Sequence, residues 1–210
     1  MGSETAENRS LLEKQTGRDL VPTLNAENRL QRRVAGYHDI RMDGMTDLVC
    51  RAPGSSVLDL GCSRGLVGFE FANNGATRVH GCDIEEEVIL VARHLFCDLR
   101  SVESKFEVVD LTGGPKAFHK AFPDQKYDIT VMLATYHKLK RKMAAHDLTA
   151  LIKHFAGITN HYFAWRGTSD KADENQQEMA NLDRDLVGFR RIHTSHISLQ
   201  LGVAAIWAKR

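Results

Sequence analysis

The chain has 210 residues, 42% of them hydrophobic, which is enough to bury one substantial core and too few for two. Its 28 basic and 27 acidic residues leave a net charge of +1, which excludes a global field that would draw the protein to nucleic acid or to an anionic membrane. No apolar run approaches the roughly 18 to 20 residues that cross a bilayer, and no two of the four cysteines have Cys-x-x-Cys spacing, so we expect a reduced, cytoplasmic protein without a membrane partner.

The first 53 residues are predicted to precede the main fold. Residues 1–22 are polar and without periodicity, which is typical of a flexible arm. Residues 23–53 predict two helices, Asn25–Val34 and Arg41–Cys50, and the second of these stops before Pro53. The pattern changes after this point, so the main domain is expected at residues 54–210.

Residues 54–210 alternate short β-rich apolar runs with longer helical stretches. Strands are predicted at Ser56–Leu60, Thr77–Asp83, Lys105–Asp110, Tyr127–Ala134 and Tyr162–Arg166, and helices between them at Leu66–Asn73, Glu85–Leu95, Pro115–Ala121, Arg141–Phe155 and Lys171–Asp185. Two further β-rich runs, Phe189–Ser198 and Leu201–Lys209, follow each other closely and predict a hairpin. The fold class is therefore α/β, a doubly wound, mostly parallel seven-stranded sheet with an antiparallel C-terminal hairpin at its edge.

The segment after the first of these strands has the composition of a ligand-binding loop. Val57-Leu58-Asp59-Leu60 leads into Gly61-Cys62-Ser63-Arg64-Gly65, where the glycines allow a sharp turn and a close approach of a ligand to the backbone. Ligands of open parallel sheets bind beyond the carboxyl ends of the strands, where this loop would lie. The dinucleotide pattern Gly-x-Gly-x-x-Gly fits poorly because position 63 is serine.

Val57–Gly65 resembles the first motif of the class I S-adenosylmethionine-dependent methyltransferases, an apolar strand with an acid followed by a Gly-x-x-x-Gly loop. That family usually has glycine where this chain has Ser63. The resemblance covers roughly residues 54–210 and implies S-adenosylmethionine as the cofactor, with Asp83 holding the ribose hydroxyls through a carboxylate that offers two acceptors. It also implies that Asp110 lies near the adenine amino group. The cofactor-binding residues expected on this basis are Asp59, Gly61, Cys62, Ser63, Gly65, Asp83, Ile84, Asp110, Leu111 and Ala134.

The residues after the fourth predicted strand include the candidate catalytic groups, Tyr136 and His137. Histidine has an unperturbed pKa of about 6.5, so His137 could act as a general base toward a hydroxyl acceptor. The alternative is that it contacts the loop backbone or the cofactor without moving a proton.

A basic cluster, Lys138, Lys140, Arg141 and Lys142, follows His137. It falls near the predicted start of the helix Arg141–Phe155, where the helix dipole disfavours positive charge, and we therefore expect the acceptor to carry phosphate or carboxylate. The alternative is an ordinary solvated helix face. The expected substrate-binding residues are Lys138, Arg141, Arg166 and Tyr37, with Arg29, Arg32 and Arg33 able to join the same opening. Tyr37 lies on the N-terminal segment that often covers the cofactor in this family. The alternative is that Tyr37 packs against the domain and does not contact a ligand.

These observations predict a methyltransferase that acts at oxygen on a small-molecule or phosphorylated acceptor. Three alternatives stay open: an RNA methyltransferase acting on base, ribose or terminal phosphate, a binding subunit without catalysis, and a nicotinamide-dependent oxidoreductase. Methylation of DNA bases is not expected, because the chain has neither an Asn/Asp-Pro-Pro-Tyr/Phe motif after the fourth strand nor a Pro-Cys nucleophile. The spacing of the histidines predicts no metal site.

Overall fold

The computed structural model describes residues 23–24, 30–31, 42, 44–169, 171–195 and 202–210. The predicted arm at residues 1–22 and four of the candidate residues lie outside this part of the chain, namely Arg29, Arg32, Arg33 and Tyr37. Within the described ranges, no helix has the length and apolar character needed to cross a membrane.

The elements alternate between strands and helices along most of the chain. The strands are β1 (Thr23–Leu24), β2 (Leu30–Gln31), β3 (Ser56–Leu60), β4 (Arg78–Asp83), β5 (Glu103–Val108), β6 (Tyr127–Leu133), β7 (Thr159–Arg166), β8 (Phe189–Thr194) and β9 (Ala204–Lys209). The α-helices are α1 (Thr46–Val49), α2 (Leu66–Asn73), α3 (Glu86–Phe96), α4 (Gly114–Ala121), α5 (Tyr136–Lys142), α6 (Ala145–Ile158) and α7 (Ala172–Asp185), and a 3-10 helix spans Leu111–Gly113.

Strands β3 to β9 form one seven-stranded sheet in the order β5-β4-β3-β6-β7-β9-β8. The first five of these neighbours pair in parallel, whereas β9 pairs antiparallel with both β7 and β8. The predicted fold class is confirmed, including the antiparallel C-terminal pair at the edge. Strands β4 and β5 are added on one side of β3, and β6 and β7 are added on the other side, so the strand order reverses between β3 and β6. The carboxyl ends of these two strands therefore form the switch point where open α/β sheets bind ligands.

The sheet is buried on both faces by helices. Leu58 and Leu60 of β3 pack into one apolar cluster, and Val57 packs into the other, because successive side chains of a strand point to opposite faces. Each of these three side chains is fully buried, which contributes about 1.5–3 kcal/mol apiece. The edge strand β8 instead exposes most of its residues. The apolar run of β3 therefore marks the centre of the sheet, and the more polar sequence of β8 marks an edge.

The predicted helix over Asn25–Val34 is wrong where the structure describes it, because Leu30–Gln31 is a strand that pairs antiparallel with Thr23–Leu24. Leu30 and Val34 alone give such a helix a narrow apolar face, and short isolated helices are marginal. Backbone pairing between β1 and β2 satisfies the amide groups instead. Within the second predicted helix, Arg41–Cys50, the described residues include α1 at Thr46–Val49, which is preceded by a turn at Gly44.

The predicted helix over Arg141–Phe155 begins too early, because its first two residues belong to a separate helix. Helix α5 ends at Lys142, residues Met143 and Ala144 are extended with ψ of 149° and 148°, and α6 begins at Ala145. No glycine or proline marks this break, so the sequence pattern did not reveal it. By contrast, β3 and α2 have the predicted bounds, and the predicted strand ends at Asp110 and Ala134 move back to Val108 and Leu133.

Candidate functional site

A cleft opens at the carboxyl ends of β3 and β6, at the switch point of the sheet. It is lined by Asp59, Gly61, Cys62, Ser63, Val67, Asp83, Glu85, Val88, Leu133, Ala134, Thr135, Lys138, Arg166 and Thr168. Carboxylates lie on the β3 and β4 side, and cations lie on the β7 and α5 side. The cleft thus has an acidic part and a basic part.

The loop after β3 is held by backbone hydrogen bonds to the neighbouring strand. The amides of Gly61 and Cys62 both donate to the carbonyl of Cys82, at 2.8 and 2.9 Å, and the amide of Gly65 donates to the carbonyl of Cys62 at 2.9 Å. Gly61 has a φ of 78°, and a Cβ at this position would collide with the Thr135 side chain. Only glycine lets the loop cross this close to the start of α5.

Asp83, the last residue of β4, is fixed by the loop amides. Its Oδ2 accepts from the backbone amide of Ser63 at 2.9 Å, and its Oδ1 accepts from the backbone amide of Glu85 at 3.3 Å. Because each carboxylate oxygen can accept more than one hydrogen bond, the group keeps acceptor capacity toward the cleft. Ser63 lies in the left-handed region with φ of 49°, the conformation that glycine adopts most easily, and this explains why glycine is usual at its position in the related family.

Asp59 and Cys62 form the floor of the cleft. Asp59 is 2% exposed although it lies on the central strand, and Cys62 is 4% exposed. Burial, followed by the charge of Asp59, raises the pKa of the Cys62 thiol far above its usual range, so it stays protonated and unreactive. Cys62 therefore shapes the loop without entering a proton transfer.

Four of the expected cofactor-binding residues, Gly65, Ile84, Asp110 and Leu111, do not line this cleft. Ile84 is 50% exposed next to Asp83, whereas Leu111 is buried in the core. The Asp110 carboxylate accepts from the amide and the hydroxyl of Thr112, at 2.9 and 2.7 Å, and these bonds hold its pKa below the usual range. Asp110 thus caps the 3-10 helix, and its predicted contact with adenine stays a prediction.

The basic side of the cleft contains Lys138, Arg166 and Thr168. Arg166 ends β7 and is 2% exposed, and Lys138 lies on the first turns of α5 and is exposed. The predicted catalytic residue His137 is half-buried beside them, with Nδ1 3.2 Å from Thr168 Oγ1. Burial lowers the pKa of His137, and Arg141 and Lys138 lower it further, so the imidazole is neutral near neutral pH.

Tyr136 was expected to be catalytic, but the structure places it in the core. It is 2% exposed, and burial raises the pKa of its hydroxyl to about 12 even though a hydrogen bond with Asn181 of α7 opposes the shift. Its side chain points to the helix layer and is not part of the cleft lining. This position does not suit a group that must reach a methyl acceptor, so Tyr136 has no part in the function proposed below.

The basic cluster also lies differently from the expectation. Lys140, Arg141 and Lys142 occupy the last turn of α5, where the helix dipole favours positive charge. Lys140 lies 3.9 Å from Glu178, and Arg141 is exposed outside the cleft lining. The dipole mismatch that suggested an anionic acceptor is therefore absent, and that expectation now depends on Lys138 and Arg166.

Six cleft residues had no sequence signal that singled them out, and two of these are Val67 of α2 and Leu133 of β6. Glu85 and Val88 follow β4, Thr135 precedes α5, and Thr168 follows β7. Thr135 is buried with its hydroxyl donating to the carbonyl of Leu133 at 3.2 Å. These positions come together only through the parallel pairing of β4, β3, β6 and β7, since each side chain is ordinary in its own local sequence.

Comparison with known proteins agrees with this geometry. Residues 57–158 match the family model described as a methyltransferase domain. This segment is therefore a methyltransferase domain. The predicted family is thus confirmed, and S-adenosylmethionine is the cofactor of that family.

Among curated proteins, the O-antigen chain terminator bifunctional methyltransferase/kinase WbdD of Escherichia coli is 29% identical over 124 residues, which are 57% of this chain and 17% of that protein. The chain therefore spans about a sixth of the length of the curated relatives that it matches.

Two solved structures illustrate the shared fold. Magnesium protoporphyrin IX methyltransferase from Synechocystis PCC 6803, crystallised with bound SAH, is 16% identical with a TM-score of 0.59, covering 99% of this chain and 95% of that one. The bifunctional kinase-methyltransferase WbdD is 18% identical with a TM-score of 0.61, covering 96% of this chain and 45% of that one.

The residues present suit S-adenosylmethionine. The cofactor has two vicinal ribose hydroxyls, and the fixed Asp83 carboxylate offers acceptors for them. The backbone at Gly61, with no room for a Cβ, allows close approach of a ligand to the loop. The acidic side chains of this part of the cleft complement the positive charge that the cofactor carries on its sulfonium and amino groups.

Proposed function

We propose that this chain transfers a methyl group from S-adenosylmethionine to an oxygen of an acceptor that carries phosphate or carboxylate. The observation that carries the proposal is the position of Lys138 and Arg166, which line the same cleft as Asp83. One cleft then holds a cofactor-binding carboxylate and two cations for a second, anionic ligand.

The acidic part of the cleft is proposed to bind the cofactor, which supplies a methyl group on a positively charged sulfur. Asp83 would accept hydrogen bonds from the ribose hydroxyls, while the loop from Gly61 to Gly65 supports it through the Ser63 amide. Ala134, which follows β6 with a φ of 59°, lines the same cleft. These residues orient the donor, which is the main requirement of an in-line displacement.

The basic part is proposed to bind the acceptor. Arg166 has a planar guanidinium that fits phosphate or carboxylate oxygens, and its burial at the end of β7 places this charge where water screens it little. Lys138 adds a second positive charge at the rim of the cleft. The name of the curated relative, which joins a methyltransferase with a kinase, is consistent with an acceptor that carries phosphate.

A labelled-methyl transfer assay with a panel of sugar phosphates, hydroxycarboxylates, phenyl phosphate, benzoate and RNA tests this proposal. The Lys138→Glu variant should raise the KM for an anionic acceptor roughly tenfold or more, because a side chain that attracts the anion is replaced by one that repels it. The KM should also lose most of its dependence on salt concentration. Lys116→Glu is the matched control, because Lys116 is exposed on α4 and outside the cleft lining, and it should change KM less than about twofold.

Each alternative predicts a different result in the same assay. Transfer to RNA alone would identify an RNA methyltransferase, and cofactor binding without transfer to any acceptor would favour a binding subunit. Equal KM values for Lys138→Glu and wild type with anionic acceptors would contradict the role assigned to Lys138.

A further inference from the structure

Thr168 lies between the cleft and His137. Its side chain lines the cleft, and its Oγ1 is 3.2 Å from His137 Nδ1 and 3.5 Å from His137 Nε2. His137 itself is not part of the cleft lining. A ligand in the cleft would therefore meet the Thr168 hydroxyl first, with the imidazole behind it.

The charged groups around His137 favour its neutral form. Lys138 and Arg141 flank it on α5 and both lower its pKa, and burial is the largest cause of the shift. Arg166 ends the neighbouring strand. The nearby carboxylates of α7 have other partners, since Glu178 lies 3.9 Å from Lys140 and Glu174 lies 3.1 Å from Lys171. A neutral imidazole has one ring nitrogen that accepts a hydrogen bond, which matches a hydroxyl donor such as Thr168.

We infer that Thr168 is a catalytic residue that receives the proton of an acceptor hydroxyl and passes its own proton to His137. His137 is then the general base, and it acts through the Thr168 hydroxyl. This rests on the proposed function and narrows the acceptor to a hydroxyl that lies beside the anionic group. The anion anchors the acceptor at Lys138 and Arg166, and the hydroxyl is the nucleophile.

The step balances in atoms and charge. The acceptor oxygen forms a bond to the methyl carbon while the carbon–sulfur bond of the donor breaks and leaves its electron pair on sulfur. The acceptor proton moves to Thr168 Oγ1, and the original hydroxyl proton of Thr168 moves to the accepting ring nitrogen of His137. The products are the methyl ether, the neutral thioether and a protonated imidazole, which returns its proton to water.

Three variants of the full chain test the inference with glycerol 3-phosphate, which has hydroxyls beside phosphate, and phenyl phosphate, which has none. Thr168→Val removes the hydroxyl at nearly constant volume and should lower kcat/KM for glycerol 3-phosphate by about 100-fold or more, because general-base catalysis typically contributes that much. Thr168→Ser keeps the hydroxyl and should stay within about fivefold of wild type. Ser169→Ala is the matched control, because Ser169 donates to Glu174 and lies outside the cleft lining.

The pH profile separates a proton-transfer role from a structural one. In wild type and Thr168→Ser, kcat/KM should decrease as the pH is lowered past the pKa of His137, which gives the profile an acidic limb. Thr168→Val and His137→Gln should both lose this acidic limb. The double variant should be no slower than either single one, because both remove the same relay. Calorimetric titration with S-adenosylhomocysteine should give affinities within about twofold for all variants, which shows that the cofactor site is intact.

Two results would overturn the inference and leave the proposed function standing. One is an unchanged rate and acidic limb in Thr168→Val, and the other is transfer to phenyl phosphate at the rate of glycerol 3-phosphate, since the anion itself would then be the nucleophile. Failure of wild type to methylate any member of the anionic panel contradicts the proposed function itself.

Discussion

Gly61 and Ser63 hold the cofactor loop in a conformation that most residues avoid. Gly61 has a φ of 78° and Ser63 a φ of 49°, and both lie where β3 passes into α2. The strain is compensated by the hydrogen bonds to Cys82 and Asp83, which also aim the Asp83 carboxylate into the cleft. The geometry of this one loop therefore links backbone conformation to cofactor binding.

Gly61→Ala should lower the free energy of unfolding by at least about 1 kcal/mol more than Gly54→Ala. Both glycines have positive φ, so both variants carry the backbone cost of about 1–2 kcal/mol. A Cβ at Gly54 meets nothing within 4 Å, whereas a Cβ at Gly61 overlaps the Thr135 side chain, which adds the cost of overpacking. Urea unfolding of the two variants measures the difference, and equal losses would show that the Thr135 contact carries no strain.

The sequence predicted those site residues that belong to a local motif. The loop from Gly61 to Gly65 follows a predicted strand and Asp83 ends one, and all of these residues line the cleft except Arg64 and Gly65. Thr135 and Thr168 escaped prediction because a threonine in a loop has no distinctive local pattern. Tyr136 was misplaced because its orientation depends on α5, a helix whose bounds the sequence did not reveal.

Helix α5 shows how an element boundary changes the meaning of a charge cluster. With a helix beginning at Arg141, the cations would oppose the dipole, but the actual helix ends at Lys142 and its dipole favours them. Of the four cations in this cluster, only Lys138, the first one, lines the cleft. The extended pair Met143–Ala144 that separates α5 from α6 has no sequence marker, which is why this boundary could not be predicted.

Strand β4 contains a buried histidine that should make stability depend on pH. His80 is 3% exposed, its Nδ1 is 2.8 Å from the Tyr127 hydroxyl, and its Nε2 is 3.6 Å from Glu103. Burial lowers the pKa of His80 from 6.5 to about 4, and the opposing effect of Glu103 is smaller. The fold therefore holds this side chain neutral in a pH range where the unfolded chain binds a proton.

The free energy of unfolding should fall as pH drops from 6.5 to 4, by up to about 3 kcal/mol for this residue. Above pH 6.5 the side chain is neutral in both states and the contribution is complete. His80→Gln should remove this part of the slope, while His146→Gln, at an exposed position, should keep it. Thermal unfolding of the three proteins between pH 4 and pH 7.5 checks this, and parallel curves for His80→Gln and wild type would contradict it.

At the scale of the whole molecule, the strand order of the seven-stranded sheet creates the site. The pairing of β3 with β6 brings the cofactor loop next to the start of α5. Gly61 of the loop and Thr135 before α5 are more than seventy residues apart along the chain. The parallel order followed from the alternation of strands and helices, and the antiparallel β9 from the close spacing of the last two β-rich runs. That β9 lies between β7 and β8 is a tertiary outcome, since either strand of a hairpin can take the inner position.

Calorimetric titration of the full chain with S-adenosylmethionine, S-adenosylhomocysteine and NAD tests the central claim most directly. Wild type should bind the first two and not NAD, and Asp83→Ala should weaken binding by about 100-fold or more, because the ribose loses two hydrogen bonds to a charged group. Asp98→Ala, at an exposed residue outside the cleft lining, should stay within about twofold of wild type. Tight binding of NAD alone, or unchanged affinity for S-adenosylmethionine in Asp83→Ala, would contradict the account.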